Sequence, residues 1–207
     1  DINFKKINNL KNELKNFNIE WYFLCYHRFP RLISTIYDIL NGLRLLILLI
    51  YKNKKIALLH SRSYIASLIV IIISFFYKFK FIFDMRGFWI DEKSDRDGLN
   101  KKSLTYKFFK KFEKFTILKA DIIVTLTHQA KNLIINNFPK ITNRKIFVIP
   151  TCGDEKFFKT PKYNKIISKQ IVFGYIGSID TAYNIEKIII SFSKIISNFS
   201  KVKLKIL

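Results

Sequence analysis

The chain is 207 residues long and 49% hydrophobic, with 37 Lys and Arg against 15 Asp and Glu, a formal charge of +22. That length allows one full domain, or one domain and part of another, and that apolar content excludes a disordered chain. So large a cationic surplus draws anionic partners such as phospholipid headgroups or nucleotides, although the Lys, Ile, Asn and Phe bias throughout is also what an AT-rich genome would encode.

In chain order, Phe4, Ile7, Leu10, Leu14 and Phe17 recur at helical spacing and predict a helix over 3–17. The aromatic and apolar run from Ile19 to Tyr26 predicts a strand. A helix over 32–51 follows Pro30, then a strand over 55–59 ending at His60. A helix over 63–77, with Ser61 or Ser63 as its cap, leads to a strand over 79–83 ending at Asp84. The stretch with Gly87, Asp91, Asp95, Asp97 and Gly98 reads as a loop. Beyond it come a helix over 103–119, a strand over 120–126, a helix over 127–137 capped by Thr127, and a strand over 145–149 stopped by Pro150. The uncharged run Tyr64–Tyr77 falls short of the roughly 20 residues a helix needs to cross a bilayer. The run Leu43–Tyr51 is shorter and is broken by Arg44, so no residue from 43 to 77 is expected to span a membrane. No secretory leader pattern is present.

Strands such as IIVTL and IFVI are apolar on both faces, which marks a parallel sheet covered by helices on both sides. Residues 1–155 therefore read as an open, Rossmann-like, doubly wound α/β domain, whose ligands bind beyond the carboxyl ends of its strands. The clusters HSRS at 60–63 and DMRG at 84–87 then share one edge of the sheet. Residues 156–169 read as a polar linker. From residue 170 a strand runs into Gly174 and Gly177, and a helix follows with Ile185, Ile188, Ile189 and Phe192 on one face. This reads as the start of a second Rossmann-like domain. The final VKLKIL reads as a strand, and the chain as a fragment cut at both ends.

Several residues carry candidate chemistry. Arg86 follows a strand end and can hold a phosphate or carboxylate through two parallel hydrogen bonds, with Gly87 freeing the turn; alternatively Asp84 and Arg86 tie the loop together. Asp91 and Glu92 serve as a general base or sugar-hydroxyl ligands, or are solvated loop carboxylates. His60 touches substrate or is a satisfied histidine near the core; His27 shares that prospect more weakly, and His128 reads as a surface residue. In GYIGS, free amides near Gly177 and Ser178 suit a phosphate, or the segment is a plain tight turn. Cys25 and Cys152 are lone, which fits a reducing compartment, and no zinc spacing is present, so no protein-bound metal or cofactor is expected. No nucleic-acid-binding motif occurs, and nucleic acid is not an expected partner.

Taken in order, HSRSY, DMRGFWIDE, FEKFTILKADIIVTLT, KIFVIPTCGDEKFF and FGYIGSIDTAYNIEKII resemble the GT-B glycosyltransferases of family four, in particular bacterial members that build surface polysaccharides. The resemblance covers about residues 40–207. It implies an acceptor-side domain followed by a nucleotide-sugar domain, a cleft between them, retention at the anomeric carbon, and no bound metal. It carries acceptor-side or cleft roles onto His60, Arg62, Arg86, Gly87 and Glu92, and donor-phosphate contact onto Gly177, Ser178 and Lys187. It implies a nucleotide-sugar donor, a lipid-linked or glycan acceptor, and a cytoplasmic enzyme peripheral to the inner face of the plasma membrane. Relatives also carry an arginine and a lysine after the second glycine turn; here the stretch reads SIDTAYNIEK and only Lys187 can stand in. The glutamate pair that grips the nucleotide sugar is expected beyond Leu207. Two other readings stay open: a non-enzymatic basic α/β module for membranes or protein partners, and a GT-B-shaped nucleotide-sugar epimerase.

Overall fold

A computed structural model describes residues 4–53, 56–141, 145–154, 156, 158, 171–177, 179, 184–199 and 201–207. Most of the expected 156–169 linker, and Ser178, lie outside the described residues. The chain divides into two compact units, Asp1–Arg86 with Phe112–Val148, and Gly87–Lys111 with Ile149–Leu207.

The first unit holds helix α1 (Phe4–Lys15), helix α2 (Arg31–Lys52), and four strands: β1 (Leu58–Arg62), β2 (Lys80–Met85), β3 (Ile122–Thr125) and β4 (Lys145–Val148). Helix α3 (Ser63–Ile73) joins β1 to β2, and helix α6 (His128–Asn137) joins β3 to β4. All neighbouring pairs are parallel and the strand order is β1-β2-β3-β4. The mixed α/β fold with a parallel sheet is thus as expected and is compatible with a Rossmann-like architecture. Among the described residues the strands of this sheet follow one another in chain order, without the reversal of direction that defines a doubly wound sheet. Right-handed crossovers in such an order put the connecting helices on one face.

Burial agrees with that geometry. Ser61, Phe83 and Ile123 are register partners on one face and all are buried, as are Met85, Thr125 and Ile146 beside them. The Tyr64 ring of α3 meets Phe83 on this face at 5.3 Å. On the other face His60 and Arg62 are exposed, Ile82, Asp84 and Val124 are half-buried, and Phe147 is 47% exposed. The apolar strands that suggested two covered faces thus have only one fully covered.

Four local expectations need correction. The segment 19–26 is not a strand: no strand among the described residues pairs with it, and Leu24 and Tyr26 are exposed. Its β-forming composition has no ladder to join, and the chain is tied instead by the backbone N–H of His27 donating to the Asp38 carboxylate of α2. Strand β1 begins three residues later than expected and continues through Arg62, because its ladder with β2 extends to the Arg62–Asp84 pair. Helix α3 starts without a side-chain cap; Ser63 instead takes φ 71°, and its carbonyl accepts from Ser67. The 87–98 stretch is not a loop throughout but contains helix α4 (Trp89–Asp97), which buries Ile90 and Ser94 one turn apart and ends at Gly98 with φ 67°. Helix α6 has its expected cap, with the Thr127 hydroxyl accepting from the Ala130 N–H at 3.1 Å.

In the second unit, α4 is followed by helix α5 (Leu104–Lys119), which continues into the first unit. Strand β5 (Ile171–Tyr175), helix α7 (Ile185–Asn198) and strand β6 (Val202–Ile206) form one parallel β-α-β unit. As expected, Phe192 is buried and Ile185 and Ile188 are half-buried, with the Phe192 ring 5.7 Å from that of Phe173; Ile189, however, is 48% exposed.

Candidate functional site

The β1–β2 register brings three chemistry-bearing side chains to the carboxyl edge of the sheet. His60 and Arg62 are two residues apart, so both point to the half-open face, while Ser61 points inward. The Ser61 hydroxyl lies 2.7 Å from that of Ser67, which itself donates to the Ser63 carbonyl, and this chain of contacts fixes the end of β1 against α3. Asp84, opposite Arg62, lies 3.9 Å from His60 Nε2 and 3.8 Å from Arg62 Nε. These are charge contacts longer than hydrogen bonds. The Arg62 side chain is 65% exposed, so an anionic ligand can engage it without breaking a built hydrogen bond.

Arg86 follows directly after β2 and is exposed. Among the described residues it makes no hydrogen bond or ion pair, so the alternative in which Asp84 and Arg86 tie the loop is not the arrangement found; Asp84 faces His60 and Arg62 instead. Because β1 and β2 are parallel neighbours, Arg62 and Arg86 emerge at the same edge of the sheet.

The second unit holds a separate cluster at α4. Tyr106 Oη donates to Asp91 Oδ1 at 2.5 Å, and Lys110 Nζ donates to Oδ2 at 2.5 Å. Burial pushes the Asp91 carboxyl up, but the bonds from Lys110 and Tyr106, together with the charges of Lys110 and Lys101, outweigh it and hold the group below the usual aspartate range. With both oxygens engaged, Asp91 is a poor general base. Glu92 is exposed and has no hydrogen-bond partner for its carboxylate among the described residues. Its carboxylate lies where a Cβ on Gly87 would sit, so the glycine at 87 makes room for Glu92. Tyr106 and Lys110 were not singled out from the sequence; they sit 15 and 19 residues from Asp91, on a helix whose pairing with α4 no local motif announces.

The remaining candidates separate. Lys187, Gly174, Tyr175 and Asn184 line a cavity of about 410 Å³ between β5 and α7, floored by Phe173, Phe192 and Leu204. Gly177 does not line it, and the floor offers a phosphate no polar partner. Glu186, in the first turn of α7, also opposes an anion there. His27 Nδ1 lies 2.6 Å from Asp38, which makes it a fastening between the 19–29 segment and α2, and His128 is exposed at the start of α6. No family model matches the chain, and no curated protein matches it.

Proposed function

We propose that the protein is a retaining GT-B glycosyltransferase that moves a sugar from a nucleotide-sugar donor to a lipid-linked or glycan acceptor at the inner face of a bacterial membrane. The observation that carries the reading is the cationic edge: Arg62 and Arg86 at the ends of adjacent parallel strands, both exposed, with Arg86 unpaired among the described residues. Two guanidinium groups beyond the carboxyl ends of a parallel sheet suit a ligand bearing phosphate. In this reading the sheet belongs to an acceptor-side domain and β5-α7-β6 opens the donor domain. His60, which faces Asp84 at the end of β1, handles the proton at the acceptor hydroxyl. Gly177 and Ser178 contact the donor diphosphate in this reading, and neither a metal nor a cofactor takes part.

The test is transfer of labelled sugar from a panel of nucleotide sugars to a bacterial lipid extract, by the protein expressed from its whole reading frame. Arg86→Ala is expected to lower transfer by about tenfold to a hundredfold, since a charge-assisted hydrogen bond contributes roughly 1.5–3 kcal/mol. Absence of transfer with every donor, or an Arg86→Ala variant as active as the parent, overturns the reading.

A further inference from the structure

Helix α2 spans 22 residues, about 33 Å at 1.5 Å per residue. Its inner side buries Ser34 and Ile50, and Gly42 lies so close to Ile69 of α3 that a Cβ would come within 2.6 Å of that side chain. Its outer side presents Ile33, Ile36, Leu40, Ile47, Leu48 and Tyr51, each between 44% and 84% exposed and all within one arc of the helix. A helix on a water-facing surface carries polar groups on this side. Here the stripe is interrupted by one charge, Arg44. By length and composition the helix could cross a bilayer, with a mean hydropathy of 1.7 over an 18-residue window within Leu32–Lys52, so the apolar segment is longer than the Leu43–Tyr51 run read from sequence.

We propose that this outer face of α2 docks flat on an anionic lipid surface. Flat docking follows from how the helix is held. Its middle rests on α3, and α3 is fastened to β1 through Ser67 and Ser61 and to β2 through Tyr64 and Phe83. A spanning α2 would have to draw α3 and one face of a hydrogen-bonded sheet into hydrocarbon, where exposed backbone groups are not tolerated. Charge selects the occupant. Arg28 precedes the helix, Arg44 sits within the stripe and Lys52 ends it, on a chain with a net charge of +22. Long cationic side chains around an apolar stripe can reach phosphate headgroups while the stripe enters the acyl boundary, and Tyr37 and Tyr51 suit that interface. A second copy would instead bring two such charges together, which opposes association.

This inference deepens the membrane part of the function proposed above, but its test reads neither donor nor acceptor, so either can fail without the other. The measurement is flotation of the chain with vesicles of phosphatidylcholine alone or with 30% phosphatidylglycerol. Binding is expected to the anionic vesicles, to weaken with salt, and to be released by carbonate. The double change Leu40→Glu and Leu48→Glu is expected to weaken binding about a hundredfold, because each removes a leucine from the buried face. Arg44→Glu, which leaves the apolar stripe intact, is expected to weaken it about tenfold. Circular dichroism melts of both variants should match the parent, since all three side chains are exposed. The proposal is overturned by absence of binding to anionic vesicles, by equal binding to phosphatidylcholine alone, or by resistance to carbonate. It is also overturned if a well-folded Arg44→Glu variant binds undiminished, or if the parent forms a stable dimer that the leucine changes dissociate.

Discussion

The contact between Tyr64 and Glu113 gives the sharpest test of how the carboxyl edge is held. Tyr64 is the second residue of α3, two residues past the end of β1, and Glu113 lies on α5. Both are buried, at 6% and 3% exposure, and Tyr64 Oη donates to Glu113 Oε2 at 3.0 Å. Tyr64→Phe removes the hydroxyl and keeps the ring, so the contacts with Phe83 and Phe112 persist and no cavity opens. The loss is then that of a buried polar group left short of a partner, about 1–3 kcal/mol. For a chain of this size that corresponds to a fall in melting temperature of about 2–10 °C. The assay is thermal and urea denaturation followed by circular dichroism, on Tyr64→Phe, Glu113→Leu and the double variant. The two single changes should be strongly non-additive, because they remove the same contact. A Tyr64→Phe variant within about 0.5 kcal/mol of the parent, or strict additivity, would refute the argument that this pair braces α3.

Two further outcomes follow from local chemistry. Asp91→Asn is expected to cost about 1 kcal/mol at neutral pH, because it removes a partly exposed ion pair with Lys110. The Asp91 carboxyl is held below its ordinary value in the folded state, so its contribution is present above about pH 4 and is lost as pH falls through the depressed value. Urea titrations should therefore show parent and variant converging in acid, and a gap that widens in acid would contradict this. Thr127→Ala is expected to cost about 1 kcal/mol through loss of the bond to the Ala130 N–H, read as a lower urea midpoint with an unchanged slope.

How much of this was legible in the sequence depends on which force shapes each element. Strand β3 and helix α6 stood out because Ile123 and Thr125 are buried by a strand's period and Thr127 is a cap residue before a helical run. The segment 19–26 misled because aromatic and β-branched residues suit a strand only when a partner strand is present, and pairing is not a local property. Helix α4 was hidden for the opposite reason: DEKSDRD has almost no apolar period, and its signals were the Ile90–Ser94 spacing, the Lys93–Asp97 pair and Gly98. At the edge, the strand ends placed His60, Arg62 and Arg86 together, but the role of Asp84 depends on the β1–β2 register. The engagement of Asp91 by Tyr106 and Lys110 depends on helix packing across 15–19 residues, which periodicity does not encode.

The strand order bears on how the sheet is made as the chain emerges from the ribosome. Leu58 pairs with Lys80, Ile82 with Ile122, and Ile122 with Lys145, so every strand docks on the one synthesised before it. Among the described strands of this sheet none has to insert between two already joined, and none must return to the first edge. Each ladder closes one crossover at a time, which keeps the entropy of each loop closure modest. The β1–β2 ladder can thus form once residue 85 has left the exit tunnel, and the sheet then lengthens in one direction at the pace of translation.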